Sequence, residues 1–387
     1  IVHNGIIENY QELRDDLRKK GYTFTSDTDT EIVAHRIHHN LKNTEDFAGA
    51  VRMTVAELEG AYALAVMSVD HPGQIVIARA GAPAVVGIGI DENFVASDVA
   101  ALLPVTRNFM FLEEGDVALV ERKAVTVWNE KGEIAERDVR ESTLNADSAE
   151  RGEFRHFMLK EIYEQPDAVA RTLDGRIADN RVLAASFGPH ANDALDKTRG
   201  IHIVACGTSY HAGLVARYWI ESLCKLPCTV EIASEYRYRS PVVPEGTLFV
   251  SISQSGETAD TLAALRAAKE AGYVSTLTIC NAPESSMVRE SDLTMMTHAG
   301  PEIGVASTKA FTTQLAALAL LTVSLARRNG LEERQERALV AQLTELPALI
   351  TQVLALDPSI EALAEHFADK HHALFLGRGV QNPVAME

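Results

Sequence analysis

The hydrophobic and polar positions of residues 1–145 follow the pattern of helices packed on antiparallel sheets. Residues 9–20 repeat apolar side chains on one helical face and predict a helix that ends at Gly21. A second helix is predicted over residues 28–41, which open with the spacing of a capping box. Short strand-like runs separated by turn residues then cover residues 61–68, 74–80, 84–90, 117–121 and 124–129. The pattern predicts an α+β domain.

From residue 200 onward the apolar runs are unbroken and alternate with helical segments. They cover residues 201–206, 247–252 and 275–280. Strands that are buried on both faces have this pattern, because helices cover each side of a parallel sheet. We therefore predict a Rossmann-like, doubly wound α/β domain over residues 191–350. A more charged connector, residues 146–190, precedes it, with a helix over residues 157–165 that is broken at Pro166.

A related pattern recurs near the end of the chain. Residues 372–379 line up with residues 202–209, because in both an apolar strand runs into a glycine loop. We expect residues 351–387 to begin a second domain of the same kind. The chain also begins without Met at Ile1, and Pro383 suits the start of a further helix. The expectation is an internal piece of a longer protein.

Composition and charge narrow the class of protein. The 387 residues include 36 Lys and Arg against 54 Asp and Glu, a formal net charge of −18. This balance argues against a nucleic acid or an anionic membrane as the main partner. The longest apolar run, residues 315–321, is shorter than the roughly 18 residues of a membrane span, and no signal peptide opens the chain. We expect a cytoplasmic location.

The cysteines indicate reduced thiols rather than a disulfide framework. The chain contains four, at positions 206, 224, 228 and 280. Cys224 and Cys228 have no second Cys/His pair nearby that would complete a zinc site, so small buried hydrophobes are the better interpretation. Cys206, at the end of a buried strand, is also expected in the core. We predict no metal and no organic cofactor.

The most informative polar segment is residues 253–258, with the sequence Ser-Gln-Ser-Gly-Glu-Thr between a buried strand and a helix. One interpretation is helix capping, for which a single hydroxyl suffices. The other is an anion site, because three hydroxyls, a glycine and free N–H groups meet at the positive end of a helix dipole. Ligands of open parallel sheets also bind at the carboxyl ends of the strands. We favour a bound phosphate.

Two further loops are expected to border the same pocket. Gly207-Thr208-Ser209 follows the first strand, and residues 304–309 precede a helix that ends near Arg328. The sequence contains neither a P-loop nor a G-x-G-x-x-G motif after a strand, so a small phosphorylated molecule is favoured over a nucleotide. Residues 207–210 and 253–258 contain no Lys or Arg. The phosphate is therefore expected to rest on neutral hydroxyls, N–H groups and helix dipoles.

Several motifs in fixed order resemble known families. SISQSGETADT, ACGTSY and EIGVASTKAFTTQ are similar to the sugar isomerase (SIS) domain, whereas VHNGIIEN, SDTDTE, NFVASD and FLEEGD resemble the glutaminase domain of N-terminal-nucleophile amidotransferases. Glutaminase, connector KEIYEQP and a doubled SIS unit, in that order, resemble the glutamine–fructose-6-phosphate aminotransferase family. The resemblance implies a homodimeric enzyme of amino-sugar biosynthesis that makes glucosamine 6-phosphate from fructose 6-phosphate and glutamine.

The resemblance also implies residue roles. Asn4 and Gly5 would form the oxyanion hole for glutamine hydrolysis, and Asp29 would bind the α-ammonium group of glutamine. From the residues alone, Asn4-Gly5 is equally a turn, and Asp29 equally favours a helix N-terminus. The residues implied for the sugar phosphate are Thr208, Ser209, Ser253, Gln254, Ser255, Thr258, Val305 and Ser307.

Other family residues have no counterpart in the chain. The nucleophilic cysteine and part of the glutamine pocket would precede Ile1, and the catalytic glutamate, lysine and histidine of the isomerase would follow Glu387. We therefore expect the chain as written to be inactive. Two rival functions stay open, a SIS-type sugar-phosphate deglycase or deaminase and a non-catalytic sugar-phosphate-binding regulator. The glutaminase motifs argue against the first. The acidic charge and the lack of a helix-turn-helix motif argue against the second.

Overall fold

The computed structural model describes residues 1–44, 46–142 and 151–387. The chain divides into two compact units, Ile1–Ser148 and Ala149–Glu387. The domain boundary predicted at residue 145, and the first residues of the predicted connector, lie outside the described residues.

In its described residues, 1–44 and 46–142, the first unit contains three α-helices and two antiparallel sheets. The helices are α1 Tyr10–Lys19, α2 Asp29–Leu41 and α3 Phe47–Val55. The strands are β1 Val2–Ile7, β2 Gly60–Met67, β3 Gln74–Ala80, β4 Val85–Ile88, β5 Asn93–Ala96, β6 Asn108–Phe111, β7 Val117–Glu121, β8 Val125–Trp128, β9 Ile134–Ala135 and β10 Val139–Glu141. One sheet has the order β1-β2-β3-β7-β8-β9 and the other β10-β6-β4-β5.

Both faces of the larger sheet in this unit are buried, because side chains along its strands point alternately to one face and to the other. Leu64 and Val76 pack against the three helices, whereas Ile77 and Val120 pack against Val86 of the smaller sheet. Successive side chains of a strand point to opposite faces, so one strand contributes to both layers. The predicted α+β character is confirmed. Strand β5, which opens the NFVASD motif, and strand β6, which ends at the first residue of FLEEGD, were not predicted as strands.

The second unit is built around a parallel sheet. Its helices are α4 Phe157–Tyr163, α5 Gln165–Leu173, α6 Ala191–Lys197, α7 Gly207–Trp219, α8 Ala233–Tyr236, α9 Ala259–Glu270, α10 Ser286–Glu290, α11 Lys309–Arg328, α12 Glu333–Leu354, α13 Asp357–Ala364 and α14 Gln381–Met386. Its strands are β11 Ile177–Ala178, β12 Arg181–Val182, β13 Gly200–Ala205, β14 Cys228–Ile232, β15 Thr247–Ser253, β16 Thr276–Cys280 and β17 Leu293–Met296. Strands β11 and β12 form a separate hairpin.

The parallel sheet has the order β14-β13-β15-β16-β17, and each of its pairings is parallel. One face packs on α5, α6, α7 and α11, and the other on α8, α9 and α10. Every residue of β13, β15 and β16 is buried, which explains their unbroken apolar sequences. The predicted doubly wound domain is confirmed.

Helix α11 carries most of one face of this core. By length and apolar composition it could cross a membrane, and so could α12 taken together with the bent helical segment that follows it. However, 78% of the apolar stretch of α11 is buried inside the unit. The helix contributes Leu318, Leu321 and Leu325 to the main hydrophobic cluster. Its hydrophobicity is that of a core helix.

Three local predictions need correction. Thr28 is the N-cap of α2, but its side chain makes no capping hydrogen bond. The Glu31 carboxylate instead accepts the N–H groups of Thr25 and Ser26. The helix predicted over residues 157–165 ends at Tyr163, two residues early, and Pro166 stands in the first turn of the next helix, α5, where its missing N–H costs nothing.

The third correction concerns the strand predicted within residues 372–379. These described residues are neither helix nor strand, and Leu374, Phe375 and Leu376 are 83%, 77% and 85% exposed. A strand needs a neighbour that pairs its backbone groups, and none of the described strands lies beside this segment. The α14 helix nevertheless forms, with Pro383 buried.

Candidate functional site

The order of the parallel sheet defines where a ligand can bind. Counted along the chain, the strand order is 2-1-3-4-5, so the connections run in opposite directions from β13 and β15. The crevice between the loops that follow these two strands is the usual ligand site of doubly wound sheets. Those loops are residues 206–209 and 254–258, the two that the sequence predicts to hold a phosphate.

The loop after β15 is shaped by its own hydroxyl groups. The Gly256 N–H donates to Ser253 Oγ at 3.0 Å, and the Glu257 N–H donates to Ser255 Oγ at 3.2 Å. Ser253 Oγ also lies 3.1 Å from Thr258 Oγ1. Because Ser255 Oγ accepts a backbone N–H, its O–H hydrogen is free to donate elsewhere. Of the Ser253 and Thr258 hydroxyls, one donates to the other, and the second keeps its O–H hydrogen for another acceptor. Thr258 is the N-cap of α9 and makes no side-chain capping bond.

Gly256 allows this turn. Its φ is +67°, and a Cβ at this position would lie 2.0 Å from Ser285 Oγ and 2.7 Å from Cys280 Sγ. Only glycine fits both the left-handed backbone and the close approach. Since Thr258 makes no capping bond, the N–H groups at the start of α9 have no side-chain cap and can donate to an anion. Helix capping by Thr258, the alternative interpretation, is not observed.

The loop after β13 begins α7 and binds a carboxylate. Thr208 Oγ1 donates to Glu387 Oε1 at 2.6 Å, and His211 Nδ1 lies 2.7 Å from Glu387 Oε2. The Thr208 hydroxyl thus already interacts with an anionic group at the entrance of α7. Sequence reasoning missed both His211 and Glu387, which lie 176 positions apart.

The third loop, between β17 and α11, is held by carboxylates. Glu302 accepts the N–H groups of Thr308 and Ala310 at 2.8 and 3.1 Å, and the Ser307 hydroxyl at 2.8 Å. This carboxylate occupies the N-terminus of α11, so a phosphate would meet a negative charge there. The structure therefore favours the N-terminus of α9 over that of α11 for a phosphate.

Connector helix α4 supports this loop from the other side. Glu161, only 2% exposed, accepts the N–H of Ile303 at 2.5 Å and that of Gly304 at 3.0 Å. The buried Lys309 ammonium lies 2.6 Å from Glu164 Oε2, just after the same helix. The loop predicted to line the sugar is thus fixed by two residues of the KEIYEQP segment.

The three loops enclose a polar cavity of about 220 Å³. Its lining contains Cys206, Thr208, Ser209, Ile252, Ser253, Gln254, Ser255, Thr258, Glu302, Gly304, Val305, Ser307 and Gln314. All eight residues implied for the sugar phosphate are in this lining, so the structure brings them together. Val305 is on the rim, because its side chain is fully exposed.

Cys206 is a correction, since it lines the cavity and is only half-buried, whereas we expected it in the core. Burial raises the pKa of both the Cys224 and Cys228 thiols to about 12, consistent with their role as small hydrophobes. Burial likewise raises the pKa of the Cys280 thiol. Across residues 1–44, 46–142 and 151–387, no group of three or more His, Cys, Asp or Glu side chains is placed to hold a metal ion.

In the first unit, the residues predicted for glutamine lie on or beside edge strand β1. Asn4 is exposed, and Gly5 has φ +125°, with a Cβ position 2.1 Å from Ala61 O, so no other residue fits there. Asp29, in the first turn of α2, accepts the Ile7 N–H at 3.0 Å, and its Oδ1 lies 3.6 Å from His3 Nδ1. The Ile7 bond ties Asp29 to the strand that carries Asn4 and Gly5, and His3 Nδ1 lies 3.0 Å from Oγ1 of the neighbouring Thr30.

Comparison with known proteins identifies both units. A model of the glutamine amidotransferase domain matches residues 1–104, and a model of the SIS domain matches residues 194–324. The glutamine–fructose-6-phosphate aminotransferase (isomerizing) of Pseudomonas syringae pv. tomato is 58% identical over 388 residues, and that of Escherichia coli K12 is 53% identical over 387. These alignments cover the whole of this chain and 64% of each relative.

A solved structure agrees with this similarity. The C-terminal domain of glucosamine-fructose-6-phosphate aminotransferase from Francisella tularensis is 54% identical, with a TM-score of 0.60, over 61% of this chain and 67% of that one. The fold and the matched models define a protein that joins a glutamine amidotransferase domain to a SIS domain. The chain belongs to the glutamine–fructose-6-phosphate aminotransferase family.

Proposed function

We propose that the protein to which this chain belongs converts fructose 6-phosphate and glutamine to glucosamine 6-phosphate and glutamate. This reaction supplies the precursor for amino-sugar biosynthesis, including UDP-N-acetylglucosamine. The observation that carries the proposal is similarity along the whole chain to aminotransferases of this name, at 53–58% identity. The cavity between the loops that follow β13 and β15 supports the proposal, since it gathers hydroxyl and N–H donors beside helix α9, which has no side-chain cap.

In the proposed sugar site, the phosphate binds at the N-terminus of α9. Ser253, Gln254, Ser255 and Thr258 hold it with neutral donors, and Thr208 and Ser209 close the opposite wall. Val305 and Ser307 border the sugar. The donors are fixed before the ligand arrives, because the serine oxygens are already bonded to the backbone of their own loop.

In the proposed glutamine site, Asn4 and Gly5 stabilise the oxyanion of the tetrahedral intermediate, and Asp29 pairs with the substrate α-ammonium group. The Ile7 N–H, which donates to Asp29 Oδ2, fixes the orientation of this carboxylate and so supports a binding role. The nucleophile and the isomerase residues are not assigned within residues 1–387. We further propose a homodimer, a cytoplasmic location, and domains at residues 1–145, 191–350 and 351–387 joined by the connector 146–190.

The test uses the full-length protein that contains this chain. Purified protein is supplied with fructose 6-phosphate and with glutamine or ammonia, and glucosamine 6-phosphate and glutamate are quantified. With glutamine we expect equal amounts of glucosamine 6-phosphate and glutamate, and with ammonia only glucosamine 6-phosphate; Asp29→Asn should lower only the glutamine-dependent rate. Sugar-phosphate conversion without any use of glutamine would instead support a deglycase or deaminase. Sugar-phosphate binding without conversion would support a regulator.

A further inference from the structure

One polar side chain of the cavity has no part in the assignments above. Gln314 lies in the second turn of α11, is 2% exposed and belongs to the lining of the cavity. Its neighbours on the helix are Thr313 and Leu315, and most of this helix face packs into the hydrophobic core. A glutamine amide at such a buried position costs free energy unless it is hydrogen-bonded, and an apolar residue of similar size would suit the core better.

The other buried polar side chains of α11 are satisfied by their own helix or by an ion pair. The Thr313 hydroxyl donates to Lys309 O at 2.8 Å, the Thr322 hydroxyl donates to Leu318 O at 2.8 Å, and Lys309 pairs with Glu164. Gln314 differs from them. Within the described part of the chain, its buried Oε1 has no hydrogen-bond partner. A ligand in the adjoining cavity would supply one.

We propose that Gln314 binds a hydroxyl group of the sugar and so contributes to sugar specificity. This inference rests on the proposed function. The phosphate is assigned to the donors of residues 253–258, and the carboxylate of Glu302 already occupies the N-terminus of α11. What remains for Gln314 is the carbohydrate. An amide suits a hydroxyl because both groups donate and accept, and rotation about the last side-chain torsion presents either the oxygen or the nitrogen.

A ligand role and a structural role predict opposite effects on stability. If Gln314 serves the ligand, the empty protein holds an unpaired buried amide, and replacing it with an apolar residue relieves that cost. If Gln314 serves the fold, the same replacement destabilises the protein. Binding adds a second distinction, because a residue that contacts only the carbohydrate leaves the affinity for inorganic phosphate unchanged.

The experiment compares Gln314→Leu and the unbranched Gln314→Met with the unsubstituted full-length protein. We expect both variants to melt at the same temperature as the unsubstituted protein or higher, without ligand. Affinity for fructose 6-phosphate should fall about 3- to 10-fold, the effect of one lost neutral hydrogen bond. Affinity for inorganic phosphate should change by less than about twofold, within the range of an untouched contact. Gln335→Leu, on the exposed side of α12, is the matched control and should change neither affinity.

Three results would overturn the assignment. The first is unchanged fructose 6-phosphate affinity in both variants. The second is an equal loss of affinity for phosphate and for fructose 6-phosphate, which would place Gln314 at the phosphate. The third is a marked loss of stability in both variants, which would indicate a structural role. If the unsubstituted protein binds neither compound, the proposed function fails and the Gln314 assignment falls with it.

Discussion

At the scale of single residues, the candidate phosphate site differs from many anion sites in having no cation. Among the described residues that line the cavity, none is Lys or Arg. The nearby Lys309 is buried and paired with Glu164. Binding must therefore come from O–H and N–H donors at the start of α9, and each contact to a charged phosphate is worth about 1.5–3 kcal/mol.

Removing one of these donors tests the site directly. We expect Ser255→Ala or Thr258→Val to weaken fructose 6-phosphate binding about 10- to 100-fold, since each deletes one hydroxyl contact to a charged group. Titration calorimetry on the full-length protein measures the effect. Ser222→Ala is the control, because Ser222 Oγ donates to Trp219 O, outside the lining of this cavity. Wild-type affinity in both loop variants would refute the phosphate assignment.

A second prediction concerns His202, which is buried in β13. Its Nδ1 lies 2.8 Å from Tyr273 Oη, and its Nε2 lies 2.9 Å from Glu231 Oε1. Burial lowers the pKa of His202 below its usual 6.5, although Glu231 opposes the shift and Arg239 adds to it. The unfolded chain therefore binds this proton more tightly than the folded protein does. Stability should fall as the pH drops below about 6.5 toward the lower folded pKa.

Thermal unfolding between about pH 8 and about pH 5 measures this loss, over the window in which an unfolded histidine titrates. His202→Gln removes the titrating group, so the variant should lose less stability than the unsubstituted protein over the same range. The other histidines are shared by the variant and the unsubstituted protein, so the difference between their slopes of stability against pH reports on His202. Parallel pH profiles would show that this residue does not limit acid stability.

Residues with local signals were predictable, and residues with distant partners were not. Ser253, Ser255 and Thr258 stand between a strand and a helix, and short-range sequence is enough to suggest an anion site there. Glu161 has its partner in Gly304, 143 positions later. Nothing near Glu161 in the sequence indicates that contact, because the fold of the second unit creates it.

At the scale of elements, helix α4 supports the loop that borders the sugar. Glu161 is the link, since one buried carboxylate accepts two consecutive N–H groups of that loop. Bonds of this charge-assisted kind are stronger than neutral ones, and a buried carboxylate has no water to replace them. The connector is therefore part of the architecture of the site as well as a linker.

Substitution of Glu161 should weaken the binding of fructose 6-phosphate more than the binding of inorganic phosphate. We expect Glu161→Ala to weaken fructose 6-phosphate binding about 10-fold or more, because two charge-assisted bonds to the loop are lost. Glu161→Gln, which keeps a carbonyl acceptor, should weaken it less. Inorganic phosphate should bind both variants normally, because residues 253–258 are not touched. The exposed Glu153→Ala serves as control, and equal affinities for fructose 6-phosphate in all four proteins would contradict this role.

Elements were predictable where burial alone specifies them. Strands β13, β15 and β16 have both faces covered by helices, and their continuous apolar sequences predict this burial. Strands β5 and β6 were not predicted; both pair with β4, so each forms against a neighbour that its own sequence does not reveal. Residues 373–376 show the converse, because an apolar run does not become a strand without a strand to pair with.

At the scale of the whole molecule, the strong negative charge and the neutral phosphate site have a joint consequence. The chain carries a formal net charge of −18, so the overall field repels a sugar phosphate while local dipoles attract it. Salt screens the repulsion, since the Debye length falls to about 10 Å at 0.1 M. The attraction acts over hydrogen-bond distances and is screened much less.

The dependence of binding on salt therefore distinguishes this site from one built on arginine or lysine. Between about 0.05 and 0.5 M potassium chloride, we expect the affinity of the full-length protein for fructose 6-phosphate to change by less than about threefold, because screening acts mainly on the background charge. A small increase in affinity would agree with the neutral-donor assignment as well as no change would, since salt screens the repulsion between the negative chain and the phosphate. Calorimetric titrations at the two ionic strengths give the ratio, and unphosphorylated fructose provides a control for effects on the sugar alone. A fall of more than about tenfold would mean that a cation outside the described lining reaches the phosphate, and the neutral-donor assignment would then be wrong.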